Sequence, residues 1–176
     1  NRLPAYAIAE NQLENLGNPK LVLLPSPQSL TDEAWKLLLK YVEAGGKLLI
    51  TGPVERDEHW QTAKRADALE PDAAAEPLVY HNAALRIGDR PIYLSFEQQK
   101  LNQAESLRFK DGSTFKEISH GSGRIFWASY PVELSEGTQA AAILYAYVAA
   151  EAKIEPAFEL LTPLSPGVLV YPTVLE

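Results

Sequence analysis

The chain has 176 residues, 46% hydrophobic and 22% charged, with 16 basic against 23 acidic side chains and a net charge of −7. That length holds one domain, or one domain and a stub of a second, and the composition excludes a disordered or low-complexity chain. An acidic balance without a basic stripe disfavours nucleic acid and anionic lipid as partners. The absence of cysteine removes disulfides, thiolate metal sites and cysteine nucleophiles, and leaves the compartment open. With Asn at position 1 and no methionine anywhere, the sequence reads as a piece of a longer protein.

Tyr6–Ala9 reads as a short strand, followed by a helical turn from Asn11 to Leu16. Lys20–Pro25 is a continuous apolar run closed by proline, the pattern of a strand covered on both faces. Ser26-Pro27-Gln28-Ser29 makes a turn, and Thr31 is placed to cap a helix whose first turn carries Asp32 and Glu33. Trp35, Leu38, Leu39 and Val42 then recur at helical spacing and predict one buried face, with Gly45-Gly46 ending the helix. Lys47–Thr51 predicts a second buried strand, broken by Gly52-Pro53. Strand, helix and strand in close succession form a βαβ unit and predict a parallel sheet.

Val54–Glu76 is charged and alanine-rich without a clean period, and reads as a surface helix or excursion ending in an exposed loop over Glu70–Pro77. Beyond it the pattern changes. Leu78–Tyr80, Pro91–Phe96, Ser106–Phe109, Thr114–Ile118 and Arg124–Ser129 are short runs rich in β-branched and aromatic residues. Gly88-Asp89, Asp111-Gly112 and Gly121-Ser122-Gly123 separate them as turns, and Asp111-Gly112 reads as a hairpin. A helix is expected from Glu136-Gly137-Thr138 to about Ala152, with Ile143, Tyr147 and Ala150 on one face. Its apolar stretch, Ala140–Ala150, falls short of the roughly 20 residues that span a bilayer. The tail from Ala157 to Glu176 reads as exit strands or the start of a following β-domain, which divides the chain into an α/β unit at 1–155 and a segment at 156–176.

A nucleophile elbow belongs directly after a buried strand. At Ile50–Val54 the only hydroxyl is Thr51, and proline stands where the elbow's helix would begin. Gly121-Ser122-Gly123 lacks the third glycine and following helix of a dinucleotide fingerprint and reads as a tight turn. Asp57-Glu58-His59-Trp60 gathers two carboxylates and an imidazole just past a strand end, where open α/β sheets bind ligands. Successive side chains point in different directions, however, which favours a solvated cluster or a contact over a metal or catalytic site. His81 and His120 read as structural residues near strand ends, and Glu133 as a carboxylate without an evident partner.

Lys20–Pro27, Leu30–Glu33 and the stretch Leu39–Gly52, with its Tyr41-Val42-Glu43-Ala44-Gly45-Gly46 signature, resemble the middle, trimerisation domain of family-42-type β-galactosidases. Arg56-Asp57-Glu58, Gly121–Phe126 and Pro131–Leu134 are similar to further segments of such domains. The resemblance covers residues 5–60 and, more loosely, 115–150, while 63–115 lie outside it. It implies an α/β fold: a flavodoxin-like three-layer sandwich of the class I glutamine-amidotransferase-like type, here with extra β-hairpins in the second half. True amidotransferases carry a nucleophilic cysteine after this strand, and the glycosidases' catalytic carboxylates lie in a separate barrel. The resemblance therefore implies no catalytic, cofactor-binding or metal-binding residue in this chain.

What it implies instead is a non-catalytic accessory domain of a glycoside hydrolase, supporting oligomerisation or shaping the substrate cleft. The implied partners are the catalytic barrel of the same parent chain, sister subunits and, through the parent, carbohydrate. The expected contact surface is Arg56, Asp57, Glu58, His59 and Trp60. Two alternatives stand beside it. One is a carbohydrate-binding module using Trp60, Tyr80, Tyr93 and Trp127, whose flat rings suit sugar faces if they are exposed. The other is an independent hydrolase using Asp57, Glu58 and His59, which requires a pocket holding at least two of those side chains.

Overall fold

A computed structural model of the chain describes residues 5–155. Strands β1 (Val22–Leu24), β2 (Lys47–Thr51), β7 (Phe115–His120) and β8 (Gly123–Ala128) form the central sheet in the order β1-β2-β8-β7. The β1–β2 and β2–β8 pairs are parallel and β7–β8 is antiparallel. The fold is thus mixed α/β with a mostly parallel sheet. Two further antiparallel pairs are added, β3 (Ala74–Pro77) with β6 (Glu105–Arg108) and β4 (Asn82–Ile87) with β5 (Arg90–Ser95).

Side chains alternate across the two central strands. Leu48, Ile50, Ile125 and Trp127 join one core with helix α1 (Asp32–Glu43) and with Leu107 and Phe109 from and beside β6. Leu49, Phe126 and Ala128 join a second core with helix α3 (Gln139–Glu151) and the β4–β5 hairpin. Both faces of β2 and β8 are covered, which is why these strands read as unbroken apolar runs. No helix among the described residues is long and apolar enough to cross a membrane.

The βαβ unit forms as its sequence predicts. Thr31 caps α1 by accepting a hydrogen bond from the Ala34 N–H at 3.1 Å. Trp35, Leu38 and Val42 are buried, and so are Ala34 and Tyr41, but Leu39 is only half-buried at the margin of the face. The paired glycines after α1 have a packing reason. The Tyr41 ring lies over Gly46, where a Cβ would sit 2.3 Å from it. The Tyr41 hydroxyl meanwhile accepts the Lys47 N–H at 3.1 Å. The Gly121-Ser122 turn between β7 and β8 packs on the same helix end, since a Cβ on Gly123 would lie 2.1 Å from the Val42 carbonyl oxygen.

Several expectations are corrected. Tyr6–Ala9 forms no strand among the described residues; Ile8 packs against the core singly, and a 3-10 turn spans Glu10–Asn15. The 54–76 excursion contains a short helix α2 (Arg65–Leu69), and its expected terminal loop contains β3. Leu78–Tyr80 is not a strand: Leu78 is buried, bonded through its backbone to Asn102 and Ala104. The neighbouring Asn82–Ile87 is one instead, and its alanines hide it from propensity. Asp111-Gly112 does not close a hairpin, because β6 pairs with β3 and β7 with β8. The Asp111 carboxylate instead accepts from the Ser113 N–H and hydroxyl, and with Lys116 nearby its pKa falls to about 2. The buried face of α3 is Ala140, Leu144, Val148 and Ala149, while Ile143 and Ala150 are exposed and Tyr147 half-buried. Apolar residues surround this helix on nearly every side, so periodicity cannot choose its inner face. The expected segment at 156–176 lies outside the described residues.

Leu38, 1% exposed in the α1 core, should cost about 2–5 kcal/mol when cut to alanine, measured by denaturant unfolding. Ile143→Ala, at a side chain 47% exposed, should stay within about 0.5 kcal/mol of wild type.

Candidate functional site

With both sheet faces sealed, polar groups collect where the parallel strands end. Thr51, the last residue of β2, is fully buried. Its Oγ1 accepts the Ser26 N–H at 2.8 Å and donates to Glu133 Oε2 at 2.6 Å. Ser26, just past β1, donates its own hydroxyl to the same oxygen at 2.5 Å. Tyr145 of α3 donates to Glu133 Oε1 at 2.5 Å. Burial, followed by the adjacent Glu133 carboxylate, pushes the Tyr145 phenol above its ordinary range, so it stays a donor at any ordinary pH. Three hydroxyls therefore converge on one carboxylate and tie β1, β2 and α3 together at this edge. Ser26 has a φ of 41°, unusual for a residue other than glycine, and its bond to Thr51 helps hold it there.

A second polar anchor lies beside it. The Arg65 guanidinium, in a side chain 4% exposed, donates to the carbonyls of Leu30, Val54 and Arg56 at 2.7–3.2 Å and to Asp32 Oδ1 at 2.7 Å. It staples the segment after β2 to the start of α1, and it holds the Asp32 carboxyl below its usual range by a hydrogen bond and by charge. Glu55 is buried, with Oε1 accepting the Ala66 N–H at 2.6 Å. Burial raises its pKa above the ordinary 4.5, against the lowering effects of that bond and of Arg65.

A cleft of about 270 Å³ opens over this edge. Ser26, Thr51 and Glu55 contribute polar groups; Pro27, Pro53, Ala104, Pro131 and Leu134 form apolar wall; Gln28, Arg56, Trp60, Gln103 and Glu105 complete the lining. Of the five residues expected as a contact surface, Arg56 and Trp60 meet here. Arg56 Nη2 lies 2.6 Å from Glu105 Oε1. Asp57, Glu58 and His59 do not line the cleft. The Asp57 carboxylate instead accepts the backbone N–H groups of His59 and Gln61 at 2.9 and 2.8 Å. Glu58 and His59 stand 4.0 Å apart in solvent. The strand-end cleft thus holds none of the three side chains that the hydrolase alternative requires there. No group of three or more metal-ligating side chains gathers among the described residues either.

His81 Nδ1 sits 3.1 Å from the Phe96 carbonyl, and His120 Nε2 lies 3.2 Å from Glu43. Among the rings proposed for sugar binding, Trp127 is fully buried, its indole N–H donating to the Gly52 carbonyl at 2.9 Å. Trp60, Tyr80 and Tyr93 are exposed. Sequence reasoning missed Arg65 and Glu55, and the partners of Glu133. Ser26 and Thr51 lie 107 and 82 residues from Glu133, so no local pattern joins them.

No family model matches the sequence, and no curated protein matches it. Solved structures do. Gan42B, a GH42 β-galactosidase from G. stearothermophilus, superposes with a TM-score of 0.55 at 14% identity, over 78% of this chain and 22% of its own. The β-galactosidase from Rahnella sp. R3 gives 0.55 at 16% identity, over 84% of this chain and 24% of its own. That from Bacillus circulans sp. alkalophilus gives 0.55 at 11%, over 79% and 23%. The chain shares the fold of one part of GH42 β-galactosidases, and it spans 22–24% of the length of these three.

Thr51→Val keeps the shape but leaves the Ser26 N–H without its acceptor and Glu133 with one donor fewer; it should cost about 1–3 kcal/mol in equilibrium unfolding. Glu55 binds its proton more tightly folded than unfolded, so its contribution is complete below the ordinary value of 4.5 and is lost as pH rises through the higher folded value. Glu55→Gln, which keeps the acceptor for Ala66, should therefore gain on wild type as unfolding is measured from acid toward neutral pH.

Proposed function

We propose that the chain is a non-catalytic accessory domain of a multidomain glycoside hydrolase of β-galactosidase type, with the class I glutamine-amidotransferase-like, flavodoxin-like architecture. In this reading residues 1–155 form its α/β unit. The strand-end edge around Arg56, Asp57, Glu58, His59 and Trp60 meets the catalytic barrel of the same parent or a sister subunit, supporting assembly or shaping the substrate cleft. The observation that carries the reading is the fold match, which covers 78–84% of this chain but only 22–24% of each β-galactosidase, as a single domain of such an enzyme would.

The chemistry at the strand end supports it. The sequence has no cysteine for the position after β2, and the hydroxyl there, Thr51, is buried and engaged with Glu133. That arrangement serves to hold strands together rather than to attack a substrate. Trp60 and Arg56, by contrast, are residue types that dominate binding energies at protein interfaces, and both lie on the cleft side of the loop.

The purified chain should hydrolyse no chromogenic galactoside. Within the parent enzyme, Trp60→Ala should weaken association by about 2 kcal/mol or more, read by sedimentation. Melting of the chain alone should move by no more than about 0.5 kcal/mol, since the ring is 61% exposed. Equal effects in both contexts would make Trp60 a structural residue. Asp57 is unsuited to this comparison, because its carboxylate holds the loop's own backbone.

A further inference from the structure

The loop after β2 holds Trp60 in a conformation that large side chains avoid. Its φ is 61°, in the left-handed region, which for a bulky aromatic is a genuine outlier. Such strain persists where surrounding bonds over-determine it, and here they are explicit. The Trp60 N–H donates to the Asp57 carbonyl and the Asp57 N–H to the Gln61 carbonyl, both at 3.0 Å. The Asp57 carboxylate takes the N–H groups of His59 and Gln61, and Arg56 and Thr62 bridge as a short antiparallel pair at the loop's base. These bonds present an indole 61% exposed at the rim of the strand-end cleft, whereas Trp35 and Trp127 are buried.

The cleft beside that ring has a particular chemistry. Its volume of about 270 Å³ is just under the ~300 Å³ at which sites for drug-sized molecules begin, which suits one ring. Pro27, Pro53 and Pro131 offer flat C–H surface, and Gln28 and Gln103 offer neutral amides. Arg56 and Glu105 set a donor fork beside an acceptor, and both side chains keep part of their surface open, 35% and 29% exposed. Adjacent donor and acceptor groups match neighbouring hydroxyls on a ring. Glu105 is matched by Arg56 and the buried Glu55 by the neighbouring Arg65, so the lining offers no unpaired cation to draw an anion.

We infer that this cleft binds one neutral hexopyranose unit, its C–H face stacked on Trp60 and its hydroxyls held by Arg56 and Glu105. The inference deepens the function proposed above, resting on its choice of this edge as the working face, and it names what that face takes up. Sugar and ring stack because the ring's π face meets polarised C–H bonds. Phosphorylated sugars and uronates gain nothing here, because the one guanidinium of the lining is already paired with Glu105.

The full chain supplies its own reporter, because Trp60 is the exposed tryptophan. Titration with galactose, methyl β-galactoside and β-1,4-galactobiose should give a saturable blue shift of its emission in the millimolar range. In Trp60→Phe and Trp60→Ala, which lack the reporter, binding is read by saturation-transfer NMR of the sugar protons. Trp60→Phe should keep binding within about threefold, while Trp60→Ala and Arg56→Lys should each lose at least about tenfold with unchanged melting. Tyr93→Ala, away from the cleft, should bind as wild type. No saturable response to any of the three sugars, undiminished binding by Trp60→Ala, or tighter binding of galacturonate than of galactose would each overturn the inference. Absent sugar binding with Trp60-dependent association intact leaves the accessory function standing. Sugar binding with association unaffected by Trp60→Ala removes the contact role and leaves the sugar site.

Discussion

The rest of this structure depends on the burial of β2 and β8 on both faces. Leu48, Leu49 and Ile50 pair in register with Ile125, Phe126 and Trp127, and all six side chains are essentially inaccessible. A strand with no solvent-facing side can carry polar chemistry only at its ends. Thr51 marks that limit: it is the first hydroxyl after the apolar run, and it is at once drawn into hydrogen bonds with Ser26 and Glu133.

The same constraint explains why the cleft is built from connections. Its lining comes from the segments after β1, β2 and β8 and from the loop before β6, and the parallel pairing of β1, β2 and β8 brings three of these to one edge. Polar anchors keep the edge in place. Arg65 bonds three carbonyls from two segments, and the Glu133 carboxylate gathers hydroxyls from three. Both anchors are charge-assisted, the stronger kind of hydrogen bond. A rigid edge of this kind allows Trp60 to be held out into solvent at a positive φ without the loop collapsing.

The legibility of the sequence follows contact range. Thr31, the Trp35–Val42 spacing, Gly45-Gly46 and the Lys47–Thr51 run are each decided within a few residues, and each is realised with near-identical boundaries. Leu39 and the face of α3 are different, because several apolar residues compete and the neighbouring layer chooses among them. Asp111-Gly112 has the chemistry of a hairpin turn, but β6 finds its partner in β3, some thirty residues earlier in the chain. The 57–60 cluster was visible as a concentration of polar and aromatic residues, yet only Arg56 and Trp60 of the five expected residues reach the cleft.

By itself, the sequence determined the βαβ unit, the absence of cysteine chemistry, and the position of a polar, aromatic loop at a strand end. Those features rest on local periodicity, capping and composition, which act within a turn or two of helix or one strand. Tertiary structure alone decided that Glu133 joins Ser26 and Thr51, that Arg65 is a buried staple, and that Trp127 is core while Trp60 is surface. The physical reason is that hydrogen-bond partners and burial belong to pairs of segments brought together by sheet order. Nothing local to either segment carries that order.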